Sequence, residues 1–325
     1  MTDSAAAVAS SAAPLLSVVA VSKQYERHLA VNDVSFDIPP GSIFGLLGPN
    51  GAGKTSLIRM ITQITAPDGG QILFRGEPLN PGHVGRIGYL PEERGLYKKM
   101  KVGEQLVYLA RLKGMPKHEA LHRINHWLTK LDFKGQADKN VEDLSKGMQQ
   151  KVQFIATVLH EPELLILDEP FSGFDPINAN LIKDEILELR RKGTTIIFST
   201  HRMESVEELC DHIALINRSR KILDGPVKQV RNSFRTSTFE VLGTSPTPPM
   251  LAHPDFKVLE QERLPDNHFR LTAQLLNGVT LNTLLRFLIE KTPAQIHAVR
   301  ELIPSINDIF IRSVRESEVE AAPVA

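Results

Sequence analysis

The sequence predicts an α/β fold in which a phosphate-binding core carries an inserted helical subdomain and a small α+β C-terminal domain. Two observations predict the core. A glycine-rich segment at residues 48–56 follows an apolar run and precedes a helical pattern, and strand-like and helix-like segments alternate from about residue 15 to residue 226. The runs Leu164–Leu167 and Thr195–Phe198 lack polar alternation, as expected for parallel strands buried on both faces.

The individual elements follow from the spacing of apolar residues. Strand-like runs lie, in order, at Leu15–Val21, Ser42–Leu47, Gln71–Phe74, Ile87–Leu90, Leu164–Leu167, Thr195–Ser199 and His212–Ile216. Helical spacing occurs at Lys54–Thr62, Val102–Lys113, Lys117–Leu131, Met148–Leu159, Ala179–Lys192 and Glu204–Leu209. From about residue 98 to residue 160 the helical segments follow one another without a strand, which predicts the inserted helical subdomain within an α/β domain at 15–226.

A second domain is predicted at 227–315, because the composition changes after Gly225-Pro226 and a loop rich in Pro, Thr and Ser follows at 243–249. Its expected elements are strands at Thr238–Leu242 and His268–Ala273, a helix at Leu281–Lys291 and a strand near Ile296–Leu302. The Ala/Ser-rich residues 1–14 and the acidic residues 316–325 are expected to be flexible tails.

Bulk properties are those of an ordinary globular chain of 325 residues, with 42% hydrophobic and 23% charged residues. The formal net charge is zero, so no nucleic-acid partner is expected. The single cysteine, Cys210, excludes an internal disulfide and is expected to be a buried thiol. No segment has the length and composition of a membrane span, and the start Met1-Thr2-Asp3 does not resemble a signal peptide. We therefore expect a soluble chain.

The segment at 48–56 is a complete G-x-x-x-x-G-K-[ST] motif between a predicted strand and a predicted helix. Its glycines let the backbone fold around a phosphate chain, so that main-chain N–H groups and the helix N-terminus face anionic oxygens. Lys54 is expected to reach the β- and γ-phosphates, and the Thr55 hydroxyl to hold Mg²⁺. The nucleotide-binding residues predicted here are Gly48, Pro49, Asn50, Gly51, Ala52, Gly53, Lys54, Thr55 and Ser56.

Two acids follow the apolar run Leu164–Leu167. A buried strand that ends in a carboxylate is how phosphate-loop proteins place a magnesium-binding Asp, which assigns that role to Asp168. Glu169 is then placed to orient or deprotonate the attacking water, which is the task of a general base.

Here the chain resembles the ATP-binding subunit of ABC transporters over about residues 15–226. Leu144-Ser145-Lys146-Gly147-Met148-Gln149-Gln150 is similar to the signature of that family, usually Leu-Ser-Gly-Gly-Gln. Ser145 and the Gly147 amide at a helix N-terminus form a second anion site, separate from the phosphate loop. The resemblance implies that two subunits sandwich two ATP molecules, each presenting its signature to the phosphate loop of the other.

The same resemblance assigns three further residues. Asp175 in Ser172-Gly173-Phe174-Asp175 matches the D-loop residue that reaches across the dimer. His201 in Ser199-Thr200-His201 matches the switch histidine, which contacts the γ-phosphate and supports Glu169. Tyr25 matches the aromatic residue that stacks on adenine.

The chain departs from the family pattern at two places. Glu92 stands where most members have a glutamine whose oxygen joins the Mg²⁺ shell and whose loop touches the membrane partner. A carboxylate can still provide an oxygen ligand, but it adds a charge that attracts Mg²⁺ and repels the γ-phosphate. In the signature, Lys146 replaces the first glycine and Met148 the glutamine, while Ser145 and Gly147 are retained. We expect an active ATPase.

The C-terminal segment Pro304-Ser305-Ile306-Asn307-Asp308-Ile309-Phe310 resembles the ending of a domain found on some ABC ATPases. Those ATPases are subunits of exporters for sodium ions or for antibiotics such as anthracyclines. The alternative interpretation is a domain that stabilises the dimer and is uninformative about cargo, and dimer stabilisation is the physical role we expect for it.

The expected function is therefore ATP hydrolysis, with ATP and Mg²⁺ as cofactors, that drives export of an ion or drug-like molecule through a permease on a separate chain. The expected partners are a second ATPase subunit, as a homodimer, and the permease, which would hold the protein at the cytoplasmic face of the cell membrane. Two alternatives stay open: an ABC ATPase acting on a non-membrane partner such as the ribosome, and a nucleotide-gated scaffold without efficient turnover. Glu92 is the only support for the scaffold.

Overall fold

A computed structural model describes residues 13–93, 95–247, 249 and 253–320. Most of the N-terminal tail predicted at 1–14 and the last five residues of the C-terminal tail lie outside the described residues. The chain divides into two compact units. One comprises the chain up to Val227 together with the residues from Phe310 onward, and the other comprises Lys228–Ile309.

The first unit contains, in the described ranges, ten strands, six complete helices and most of a C-terminal helix, α9 (Ile306–Glu320). Its strands are β1 (Leu16–Tyr25), β2 (His28–Ile38), β3 (Ile43–Leu47), β4 (Gly69–Phe74), β5 (Glu77–Pro78), β6 (Ile87–Leu90), β7 (Leu164–Asp168), β8 (Thr195–Ser199), β9 (His212–Asn217) and β10 (Arg220–Pro226). Its helices are α1 (Lys54–Ile61), α2 (Val102–Leu112), α3 (Lys117–Lys130), α4 (Lys146–Val158), α5 (Pro176–Arg191) and α6 (Met203–Leu209), with 3-10 turns at Pro81–Arg86 and Val141–Asp143.

These strands form two sheets. An antiparallel sheet has the order β2-β1-β4-β5, and a six-stranded sheet has the order β10-β9-β3-β8-β7-β6, in which β10 alone is antiparallel to its neighbour. Because the other five strands are parallel, their carboxyl ends meet at one edge, where Asp168 pairs in register with Ser199, and Leu46 pairs with the same residue. The predicted α/β fold class is confirmed.

The core of this unit lies around and between the two sheets. All residues of β3, β7 and β8 are buried, which explains why these strands show no polar alternation in the sequence. The rings of Phe36 on β2 and Phe44 on β3 stack with centroids 5.1 Å apart, so that they join the antiparallel sheet to the parallel one. Burial of this apolar surface stabilises the two sheets, and it thereby holds in place the edge at which the parallel strands end.

Helices α2, α3 and α4 follow β6 and precede β7, as the expected helical insertion. The only tryptophan, Trp127 on α3, packs edge-on against Phe154 on α4 with ring centroids 5.9 Å apart. Lys130 at the end of α3 forms ion pairs with Glu185 and Glu188 of α5. Ring packing therefore joins the inserted helices to each other, and a bridging ammonium joins α3 to the core.

The second unit is an antiparallel sheet with helices. It contains α7 (Val227–Ser233, whose first residue belongs to the first unit), β11 (Thr238–Thr244), β12 (Phe256–Arg263), β13 (His268–Leu275), α8 (Leu281–Lys291) and β14 (Gln295–Glu301), with the strand order β12-β13-β11-β14. Its buried core includes Val241, Phe269 and Leu271 from the sheet and Leu284 and Leu288 from α8. This core makes it a small α+β body.

Several elements were not predicted. They are β2, β5, β10, β12, α7 and α9 (Ile306–Glu320). Strand β12 has only Phe256 buried, so it shows no apolar run in the sequence. Helix α9 also enters the segment at 316–325 that was expected to be a flexible tail, and within it Arg312 pairs with Glu316 one turn later, at 2.8 Å. Among the described helices, none combines the length and the apolar character needed to cross a membrane.

His160, which follows α4, is a half-buried histidine. Its Nε2 lies 3.3 Å from the Ile87 carbonyl oxygen, and its Nδ1 is buried without a hydrogen-bond partner among the described residues. Burial, together with the nearby Lys113 and Arg123, lowers the pKa of His160 from 6.5 to about 4 against the opposing effect of the Ile87 carbonyl.

We predict that His160 makes the fold sensitive to acid. The unfolded chain binds a proton at His160 below pH 6.5 while the folded chain does so only near pH 4, so stability is lost as the pH falls through that window. The loss attributable to His160 is roughly 3 kcal/mol. His160→Gln should reduce the difference in urea-unfolding free energy between pH 7 and pH 4.5. The exposed His118→Gln is the control, and an unchanged pH dependence in His160→Gln would contradict the prediction.

Candidate functional site

The phosphate loop is shaped by close main-chain contacts on both sides. Gly48 has φ 152° and Gly53 has φ 113°, both in the left-handed region that favours glycine. A Cβ on Gly48 would lie 2.2 Å from the Ile216 carbonyl oxygen, and one on Gly53 would lie 2.3 Å from the Ala30 carbonyl oxygen. Ser219 N donates to Ala52 O at 3.1 Å. The loop is therefore seated against β9 on one side and β2 on the other, with no room for side chains at either glycine.

Lys54 opens α1 directly after the loop. Its Nζ donates to the carbonyl oxygens of Gly48 and Pro49, at 2.7 and 3.0 Å. Burial lowers the pKa of Lys54, while Asp168, Glu169 and Glu92 act to raise it. The ammonium is thus folded over the loop and lies within the field of three carboxylates, whereas Thr55, one residue on, is exposed and free to meet a ligand.

Asp168 ends β7 as a buried carboxylate. Burial raises its pKa, Glu92 and Glu169 raise it further, and Lys54 acts in the opposite direction. A cation at this position would relieve the cost of burying the ionised form, so the donor set of Asp168, Glu92 and the Thr55 hydroxyl fits Mg²⁺. In the described part of the chain, no three or more His, Cys, Asp or Glu side chains are grouped so that they could hold a metal ion. Mg²⁺ typically binds through one or two carboxylates together with substrate phosphates.

Glu169 is held by a set of hydrogen bonds from the end of β8. Its Oε1 accepts from His201 N at 2.8 Å and lies 2.8 Å from His201 Nδ1, and its Oε2 accepts from Thr200 Oγ1 at 3.1 Å. Its own N–H donates to Ser199 O, and its φ of +50° is uncommon for a residue with a side chain. The carboxylate is therefore fixed in place beside the phosphate loop. The ring of His201 is 74% exposed.

Thr200 was not predicted from the sequence as a site residue. It is buried, donates to Glu169 and accepts from Arg202 N at 3.1 Å. Its position directly before His201 was the only available signal, because the sequence does not reveal which way a hydroxyl faces at the end of a strand.

The predicted signature begins α4. Ser145 is the N-cap of this helix, and its hydroxyl accepts from Met148 N at 3.3 Å. Ser145 and Lys146 are exposed, while Gly147 and Met148 are half-buried. A Cβ on Gly147 would meet the Gly173 carbonyl oxygen at 3.5 Å. The signature helix thus presents its N-terminus to solvent and lies beside the loop at 172–175.

Asp175 has a role within its own chain. It is the N-cap of α5, accepting from Ile177 N and Asn178 N at 3.0 Å each and from Asn178 Nδ2 at 2.5 Å. These hydrogen bonds from Asn178, first from its backbone and then from its side chain, lower the pKa of Asp175. The Asp175 carboxylate is therefore already satisfied as a helix cap. Its contact with the other subunit of a dimer stays a prediction.

Tyr25 lies at the turn of the β1–β2 hairpin, where it pairs with His28. The Lys23 ammonium stands 5.5 Å from the centroid of its ring, and its hydroxyl is buried without a partner among the described residues. Ala30, farther along the same hairpin, contacts Gly53 as described above. Tyr25 therefore belongs to the hairpin that flanks the phosphate loop, which is compatible with its predicted adenine contact.

The chain was compared with known proteins. It is 50% identical over 220 residues, which are 68% of this chain and 74% of the relative, to the uncharacterized ABC transporter ATP-binding protein YhaQ of Bacillus subtilis. This chain belongs to the ABC transporter ATP-binding proteins. The model of the ABC transporter family matches residues 31–172. As a member of this family, the chain binds and hydrolyses ATP.

Other similarities concern both parts of this ABC ATPase. The Nod factor export ATP-binding protein I of Burkholderia thailandensis is 36% identical over 230 residues, covering 70% of this chain and 76% of the relative. A solved ATP-binding subunit of an ABC transporter, 31% identical, aligns with a TM-score of 0.64 over 68% of this chain and 93% of its own. Residues 225–314 match the C-terminal domain of DrrA1-3-like ATP-binding proteins.

We predict that Thr200→Val lowers the rate of ATP hydrolysis by about tenfold, because it removes a hydrogen bond to a charged group at constant shape. Steady-state hydrolysis measures the effect. The matched control is Thr195→Val, since Thr195 is also buried and its Oγ1 also makes a hydrogen bond, accepting from Gly41 N at 2.8 Å at the opposite end of the same strand. Equal rates in the two variants would show that Thr200 does not support Glu169.

Proposed function

We propose that this ABC ATPase is the energy subunit of an exporter, working with a permease on a separate chain. The observation that carries the proposal is the Glu169 carboxylate. Donors from Thr200 and His201 hold it beside the phosphate loop and Asp168. A carboxylate fixed in this way is suited to orient and deprotonate a water molecule, and that is the chemistry on which an ATP-driven cycle depends.

In the proposed reaction, the loop amides and Lys54 bind the phosphates, and Glu169 takes a proton from the water that attacks the γ-phosphorus. The bond from that phosphorus to the β,γ-bridging oxygen breaks as the new P–O bond forms, with ADP as the leaving group. Thr55, Asp168 and Glu92 would hold Mg²⁺, which when bound neutralises charge on the phosphates. His201 donates from Nδ1 to Glu169, which fixes its exposed ring near the position of the γ-phosphate.

A second subunit is part of the proposal. The N-terminus of α4 is exposed at Ser145 and Lys146, as a surface that binds a partner's phosphates must be. One chain has no need of two anion sites for a single nucleotide, so we propose a homodimer with two ATP molecules between the subunits. Gly147, and Met148 in the position usually taken by glutamine, complete each signature.

Export at the cytoplasmic face of the cell membrane is the proposed context. Two similarities support it: the match of residues 225–314 to a DrrA1-3-like C-terminal domain, and relatives that are named for Nod factor export. A solved relative, cbiO1 from Clostridium perfringens, is described as part of the ABC transporter complex cbiONQ; it aligns at 28% identity with a TM-score of 0.60, over 67% of this chain and 91% of its own. We propose the same kind of assembly here, with an ion or a drug-like molecule as cargo.

Glu169→Gln tests the chemistry. We expect it to lower the hydrolysis rate by at least about 10²-fold, because an amide cannot accept the proton of water at this step. ATP should still bind, and the variant should accumulate as an ATP-bound dimer in size-exclusion chromatography. Glu208→Gln, at a surface carboxylate paired with Lys183, is the control. Wild-type turnover in Glu169→Gln would contradict the assignment of the base, and a monomer in ATP would contradict the sandwich dimer.

Affinity purification of the full chain from detergent-solubilised membranes tests the partner. We expect an integral membrane protein to co-purify in a defined ratio with the ATPase, and to be retained in Glu169→Gln with ATP. Recovery of ribosomes without any integral membrane protein would overturn the transporter assignment and favour the alternative of a non-membrane partner.

A further inference from the structure

A buried glutamine on the signature helix holds the main chain on both sides of Glu92. Gln153 lies on α4, and its Nε2 donates to the carbonyl oxygens of Pro91 at 3.2 Å and of Glu93 at 3.4 Å. Glu92 itself is exposed. The exposed carboxylate is thus carried by a segment whose backbone is fixed from inside the protein.

The same segment is held at Tyr97 by a second buried glutamine. In the amide orientation that satisfies both side-chain atoms, Gln105 on α2 donates to Tyr97 O and accepts from Tyr97 N, each at 3.2 Å. Gln153 on α4 therefore holds the main chain at Pro91 and Glu93, and Gln105 on α2 holds it at Tyr97.

Stability alone does not explain the amide at position 153. Gln153 Oε1 is buried without a hydrogen-bond partner among the described residues. An unsatisfied buried acceptor destabilises the fold, so an apolar side chain of the same size would suit a position that serves only packing. The part of the amide in use is its NH₂ group, whose hydrogen bonds among the described residues go to the backbone on both sides of Glu92.

The contact joins two parts of the proposed ATP site that are far apart in the sequence. Ser145 is the N-cap of helix α4, and the exposed N-terminus of this helix is proposed to bind the nucleotide of the partner subunit. Glu92 is proposed to serve the chain's own nucleotide, and its charge already acts on Lys54 and Asp168. A rigid link between α4 and the Glu92 segment would make the two surfaces move together.

We propose that Gln153 is a positioning residue that fixes Glu92 relative to the signature helix, so that metal binding in one nucleotide site is linked to engagement of the other. The inference rests on the proposed role of Glu92 in holding Mg²⁺. Gln153 touches neither nucleotide nor metal, and it acts through the main chain of Pro91 and Glu93.

The test is a double-mutant cycle between Gln153→Met and Glu92→Ala, which removes the oxygen ligand that a glutamine would keep. Methionine keeps nearly the same volume, removes the donor and removes the unsatisfied oxygen, so the fold should retain its stability. The measurement is the affinity for Mn²⁺, a paramagnetic substitute for Mg²⁺, in the presence of ATP, by electron paramagnetic resonance of free Mn²⁺. A Glu169→Gln background prevents turnover.

We expect Gln153→Met to weaken Mn²⁺ binding by about three- to tenfold, as the loss of one or two hydrogen bonds predicts, and to leave metal-free ATP binding unchanged. Glu92→Ala should weaken Mn²⁺ binding as well, and adding Gln153→Met to it should have little further effect. Gln150→Met is the matched control, because Gln150 is a buried glutamine of the same helix whose Nε2 has no partner among the described residues.

The outcomes separate this inference from the proposed function. If Glu92→Ala weakens Mn²⁺ binding and Gln153→Met does not, or if the two effects add, the role of Gln153 is overturned while that of Glu92 stands. If Glu92→Ala has no effect, its proposed role in metal binding fails and this inference fails with it. If Gln153→Met does not fold, Gln153→Leu carries the same cycle with the same criteria.

Discussion

The functional site depends on one constraint, the close main-chain packing of the phosphate loop against two different sheets. At Gly48 the loop lies directly against the backbone of β9, and at Gly53 it lies directly against the backbone of β2, with no room for a Cβ at either glycine. The loop therefore acquires its shape only when the parallel and antiparallel sheets are both formed and joined, as the stacked rings of Phe36 and Phe44 join them. Local glycine content permits the shape, and tertiary packing imposes it.

The parallel strands then bring the functional side chains to the same edge of the six-stranded sheet. Because β7 and β8 end side by side, the acids after one strand meet the donors after the next, and Glu169 acquires its hydrogen bonds within a few residues of each strand end. The positive φ of Glu169 is the local cost of turning its side chain towards those donors. Backbone strain at one residue, offset by hydrogen bonds from Thr200 and His201, produces a carboxylate with little freedom to move.

How much of this could be predicted from the sequence differs between fold and site. Strands such as Leu164–Leu167 were predictable because complete burial leaves an unbroken apolar run, whereas β12, exposed along nearly all its length, leaves no such run. Residues that belong to a sequence motif, including Lys54, were identified from the sequence as candidate site residues. Their roles stay predictions. Thr200 and Gln153 were missed because their importance lies in hydrogen bonds to residues far away in the chain, and a sequence pattern does not record which side chain meets which carbonyl.

The aromatic contact in the helical insertion gives the protein a natural optical label. Trp127 is the only tryptophan, so the intrinsic fluorescence excited at the red edge comes from one known place. Its ring meets Phe154, the neighbour of Gln153, and lies 5.2 Å from the Lys130 ammonium that pairs with α5. A change in the spacing of α3, α4 and α5 would alter the polarity and quenching around the indole. Any rearrangement of this region on addition of nucleotide can thus be followed in real time on the unlabelled native chain.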